Sequence, residues 1–281
     1  TCRALVDVFN TVCNNWADPT DLPLTYRYGF QLGSITVWTQ PQPSPRAASR
    51  FPTGAVTIYT VVSDSLGAVA DTVSNSVVVG TVQRRTLLET SSSLAQGMEL
   101  VTDALHLSKF AEVNKLASSM ALEISSGLSD GSLDEAEAVS TKVWLMEQLA
   151  TASAQAVLTT DFVCSVASTT SLLTPVPAHL DLASAEAAVG LVHDLFSSDT
   201  VTSVIQACAA SAVDVVSSAL SAIQLNSTCP PSEVAGAALD GVRRVIGSSE
   251  SVLQVMSVKF GADLPAGSGP KAVSSPRSEG I

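Results

Sequence analysis

The apolar residues of this chain change their spacing once. Up to about residue 82 they alternate with polar ones; from Gln83 onward they recur every three or four positions. A period of two belongs to a strand with one buried face, and a period near 3.6 to a helix with one buried stripe. A single switch excludes doubly wound folds, in which strands and helices alternate along the chain. It predicts a segregated α+β chain. An N-terminal β-sandwich module is expected over 1–82 and an antiparallel helical bundle over 83–248, with a strand and then a flexible linker expected in 249–281.

Within the first part, Leu24 to Phe30 alternates as Leu-Thr-Tyr-Arg-Tyr-Gly-Phe, and Ile35 to Trp38 continues it. Ala55 to Val62 and Val69 to Val79 bracket a turn at Asp64-Ser65-Leu66-Gly67, the pattern of a hairpin. Gln40 to Pro52 holds four prolines without periodicity and reads as a loop. Five or six short strands are predicted in all, which suits a sandwich.

In the second part, Leu87, Leu94, Met98, Val101 and Leu105 form one helical stripe, and Phe110, Val113, Ala117, Met120 and Ile124 a second. Ser132-Leu133-Asp134-Glu135 has the form of a capping box, opening a helix through Val157 with Ser132 as its cap. Further helices are expected at 161–172, at 182–196 after Asp181, at 199–225, and from Pro231 to Ile246. Val252 to Phe260 fits a strand buried on both sides as well as a helical continuation, and Gly247 marks a place for a break. The Gly, Ser and Pro residues after Phe260 read as a linker towards another domain.

Charge excludes several partners. Fourteen basic residues face 26 acidic ones, a net charge of −12, whereas nucleic acids and anionic lipid surfaces both demand a basic face. Mean hydropathy is high, +0.33, so a membrane span has to be considered. The best candidate, Val201 to Leu225, is interrupted by Gln206, Asp214 and five serines, and a span needs about 20 predominantly apolar residues. Between Lys142 and Arg243 there is no lysine or arginine, so glycans or neighbouring domains are expected to cover that acidic, Ser- and Ala-rich surface. The abrupt start at Thr1-Cys2-Arg3, without a signal peptide, reads as an internal piece of a longer protein or a processed product.

The cysteines are Cys2, Cys13, Cys164, Cys208 and Cys229, without zinc-type spacing. Cys2 and Cys13 close an alternating segment and suit a disulfide between β elements, or a pair of buried thiols. If Val201 to Leu225 is one helix, rising about 1.5 Å per residue, Cys208 and Cys229 lie too far apart to bond. Cys164 with Cys208 is then the second pair, against the alternative that Cys208 is a small core residue. Asn226-Ser227-Thr228 is the chain's N-glycosylation triplet, placed between a helix end and Pro230-Pro231. Three histidines, His106, His179 and His193, share no metal-ligand spacing, and no Gly-x-Ser-x-Gly turn or phosphate loop is present. No catalytic, cofactor-binding or metal-binding residue is therefore assigned. His106-Leu107-Ser108 has the form of a self-cleaving tripeptide, but it falls at a helix end rather than in a strained turn between strands. A histidine meeting the helix dipole is its reading here.

The run Cys2…Phe9-Asn10-Thr11-Val12-Cys13-Asn14-Asn15-Trp16-Ala17-Asp18…Pro23-Leu24-Thr25-Tyr26-Arg27-Tyr28-Gly29-Phe30 resembles the receptor-for-egg-jelly (REJ) region of polycystin-family proteins. Pro52-Thr53-Gly54, Val56 to Asp64 and Gly67-Ala68 look like the same module's next strands. The resemblance covers about the first 80 residues. It implies the last fibronectin- or PKD-like sandwich of such a region, followed by the helical part of a GAIN-like domain. It further implies a non-catalytic extracellular module of a large surface protein, ciliary or flagellar by family. Its implied partners are the parent's other domains, a polycystin-type channel subunit or a matrix protein. The alternative is a fragment of a secreted structural glycoprotein of a fibre or matrix; a fertilisation-type adhesion receptor is a third reading.

Overall fold

Among the described residues six strands precede seven helices. The protein is seen here in a computed structural model that describes residues 4–5, 7–13, 23–32, 35–66, 68–80, 87–176, 180–198, 206–226 and 235–262. The chain divides into two compact units, Thr1–Asp134 and Glu135–Ile281.

The first unit holds the strands β1 (Phe9–Val12), β2 (Thr25–Leu32), β3 (Ile35–Trp38), β4 (Arg46–Ser49), β5 (Gly54–Ser63) and β6 (Val69–Val79). They form a four-stranded antiparallel sheet in the order β3-β2-β5-β6 and a two-stranded one, β1-β4. On β2, Tyr26, Tyr28 and Phe30 are buried while Arg27 and Gln31 are half-buried, and on β5 Val56, Ile58, Thr60 and Val62 are buried. Alternation therefore sorts one face into the core and leaves the other partly open. Ala47 of β4 and Cys13, just after β1, pack on Tyr26, Tyr28 and Val62, and Phe51 meets the rings of Phe9 and Phe30 at 5.1 and 5.3 Å.

Strand β4 lies inside the stretch expected to be a loop. Four residues between Pro45 and Pro52 are too few to show a period, yet they pair in register with β1, Arg46 opposite Val12 through Ser49 opposite Phe9. A short strand on one edge is where flanking prolines are tolerated.

Helices α1 (Leu87–His106) and α2 (Phe110–Asp130) belong to this same unit. Leu94, Val101 and Ala104 of α1 are buried, as are Val113, Leu116, Ala117, Met120 and Ile124 of α2. The two helices approach so closely that a Cβ on Gly97 would stand 2.8 Å from the Met120 sulfur. Gly131, at φ 71°, ends α2, and Leu133 then turns back, buried, its N–H donating to Gly127 O at 3.1 Å.

The second unit contains α3 (Glu135–Gln155), α4 (Thr160–Leu173), α5 (Leu182–Ser197), α6 (Gln206–Asn226) and α7 (Ala235–Ala262). Helix α3 begins at Glu135, two residues later than a cap at Ser132 implies. Ser132 is still held in the turn after α2, its N–H donating to Asp130 Oδ1 at 2.9 Å, and Asp134 occupies the position before the helix. Thr159 caps α4 by accepting from Phe162 N–H, and Asp181 caps α5 by accepting from Ser184 N–H. Helix α5 packs on α3, α4, α6 and α7, and it buries Ala185, Ala188, Val189, Val192, Leu195 and Phe196. Small residues, Ala209, Ala212, Ala219 and Ala222, line the buried face of α6 and let neighbouring helices come close. Of the two readings open for 252–260, the helical one is found. Helix α7 runs through Gly247 without a break, with Val245, Val252 and Met256 buried and Leu253 and Val258 outside.

Candidate functional site

The open face of the four-stranded sheet carries its most elaborated side-chain cluster. In register, Gly29 of β2 stands between Trp38 of β3 and Tyr59 of β5. A Cβ on Gly29 would lie 2.6 to 2.9 Å from three carbons of the Trp38 ring, so glycine is what lets the indole settle on the sheet. The Trp38 and Tyr59 rings are 6.2 Å apart and tilted by 47°. Over the indole lies the guanidinium of Arg27, its carbon 5.4 Å from the ring centroid, a cation–π distance. Arg27 Nε donates to Thr39 O at 3.2 Å, and the Tyr59 hydroxyl donates to Gln31 Oε1. Arg27 makes no ion pair with any of the described residues. Sequence reasoning used this alternation only to find the strand; the sign of a site was Arg27 and Gln31 falling opposite the buried Tyr26 and Tyr28.

On the core side, the Tyr28 hydroxyl donates to Ser44 O at 3.4 Å. Burial, and after it Cys13 and Tyr26 nearby, pushes this phenol up to about 12. Two polar anchors join α2 to the segment between β4 and β5. Ser119 Oγ donates to Arg50 O at 2.9 Å, and the buried Glu123 accepts from Thr53 N–H at 2.9 Å. A buried carboxylate is tolerated when a backbone donor meets it.

Cys164 of α4 and Cys208 of α6 form a disulfide with Cα atoms 4.7 Å apart. Cys13 lies against the tyrosines, whereas Cys2, the other half of the bridge expected there, falls outside the described residues, as do Cys229 and His179. Asn226 is the last residue of α6; Ser227 and Thr228 lie outside the described residues.

His106 is exposed at the end of α1. Ser108 follows in the left-handed region, φ 54°. Its N–H donates to Leu105 O and that of Lys109 to Ala104 O, at 2.9 and 2.8 Å, the paired bonds of a Schellman helix end. His106-Leu107-Ser108 is thus a helix-to-helix turn.

His193 sits with Nδ1 3.2 Å from Asp194 Oδ1 and Nε2 3.1 Å from Ser251 Oγ and 3.3 Å from Ser197 Oγ. The three residue types are those of a hydrolytic triad, but Asp194 is 85% exposed. His193 and Ser251 also lie within helices whose amides are committed to the helix ladder, which leaves no oxyanion donors beside them. The cluster joins α5 to α7, alongside Arg244, which donates to both Glu186 oxygens at 2.6 and 3.1 Å.

Residues 3–112 match the family model described as the REJ domain. This stretch is similar to an REJ domain. The match spans β1 to β6 and α1 and reaches the first residues of α2. It therefore extends beyond the roughly 80 residues in which the polycystin-type motifs are visible. Within the matched stretch lie the Arg27, Trp38 and Tyr59 cluster and the His106-Leu107-Ser108 turn; α3 to α7 lie outside it. No curated protein matches the chain.

Proposed function

We propose that this chain is a non-catalytic extracellular part of a large polycystin-like surface protein. In this reading it positions partners for, or transmits force to, a membrane-anchored channel or receptor on the ciliary or cell surface. The observation that carries the reading is the REJ match over the whole sandwich and α1. The order of sandwich followed by helices supports reading the helices of 83–248 as a GAIN-like helical part, with the parent's other domains and a channel subunit as partners. The Cys164–Cys208 disulfide suits an oxidising compartment, and no described helix is long and apolar enough to cross a membrane. Asn226 is read as a glycan site and Cys2 with Cys13 as a second bridge. The test is antibody labelling of intact host cells. Staining of unpermeabilised cells, concentrated on cilia or flagella, is expected. Release of all the protein into the medium would favour a secreted matrix glycoprotein, and staining only after permeabilisation would sink both.

A further inference from the structure

We propose that the open face of the four-stranded sheet is a docking surface for a protein segment that places a carboxylate on Arg27. The inference deepens the extracellular binding role proposed above and rests on it.

Arginine side chains are long, and ordering one costs rotamer entropy. Here that cost is met in advance. Trp38 lies beneath the guanidinium, and Thr39 O accepts from Nε. The planar group is thus held in one orientation with its remaining donors unclaimed by any carboxylate among the described residues. Such a pre-oriented fork matches a carboxylate with two parallel hydrogen bonds.

Its setting selects the partner's charge. The molecule has almost twice as many acids as bases, 26 against 14, so internal acids are plentiful, yet none of those among the described residues pairs with Arg27. The residues sharing its face on β2, β3 and β5 are uncharged, Thr25, Gln31, Thr36, Trp38, Thr57, Tyr59, Val61 and Ser63; the acid on this face by register is Asp71 of β6, one strand further out across Val61. Tyrosine, tryptophan and arginine together are the side chains that carry protein–protein hot spots, which favours a polypeptide over a sugar or a free anion.

The test uses the full chain from a secretory host and a phage library of random 12-residue peptides. Selection is expected to enrich peptides with Asp or Glu beside an aromatic residue. They should bind Arg27→Gln about tenfold or more weakly, as truncation of a hot spot predicts, with Arg27→Lys intermediate. Titrating a selected peptide into the wild-type protein should move the Arg27 Nε–H and Trp38 Nε1–H resonances, a readout that needs no variant to fold. Peptides without acidic enrichment, or resonance shifts confined to other residues, would overturn the proposal. So would a heparin oligosaccharide that binds through Arg27 where no peptide does. The surface location is tested separately on intact cells, so either reading can fail alone.

Discussion

Two residues sit against local rules and report on the fold. Lys142 of α3 is among the largest fully buried side chains, 2% exposed. Burial pushes its amine below the ordinary 10.5, and the charge of Glu135 opposes the shift only in part. Because the folded-state value is the lower one, the unfolded chain binds the extra proton between that value and 10.5. Stability therefore rises with pH across this window. Lys142→Met is expected to stabilise by about 1 kcal/mol at pH 7, within the range seen when buried ionic groups become apolar. The advantage should shrink as pH nears 10.5; thermal melts of both proteins at several pH values check this. Ser108 is the second case. A non-glycine residue in the left-handed region is strained, and Ser108→Gly is expected to add up to about 1 kcal/mol, read as a shift of the unfolding midpoint. A wild-type chain cut between Leu107 and Ser108 would contradict the reading of that turn as a helix end.

At the scale of elements, α2 is tied to the strands by Ser119 and Glu123, which meet Arg50 O and Thr53 N–H. A fragment of residues 1–86 should therefore be poorly folded, whereas 1–134 should melt cooperatively. Circular dichroism of the two checks it, and a cooperatively folding 1–86 would refute it. This coupling was not legible in the sequence. Ser119 and Glu123 sit on the buried stripe of α2, and nothing about two polar residues there announces partners about seventy positions earlier. Strands β3 and β6 could be read to the residue because β3 continues the alternation of β2 and β6 follows the turn at Asp64 to Gly67. Four-residue β4 could not, being set between Pro45 and Pro52. The end of α7 was ambiguous because Val252 to Phe260 is apolar on too many positions for one period to win. Only the surrounding helices decide that Val252 and Met256 face inward.

At the scale of the whole molecule, the switch in period after residue 82 foretold the order of strands and helices. The compact units are a different matter, since the first continues through α1 and α2 to Asp134 and the REJ match also runs past the strands. Periodicity reports what a segment becomes, not which neighbours it packs on. The candidate docking face was half legible. Alternation placed Arg27 away from the core, but its stack on Trp38 depends on the pairing of β2 with β3 and on Gly29 lying beneath the ring.

Peptide mapping by mass spectrometry of protein taken from its host tests the extracellular reading most directly. The account predicts a Cys164–Cys208 cross-linked peptide and a glycan on Asn226. Free thiols at both cysteines together with an unmodified Asn226 would contradict it.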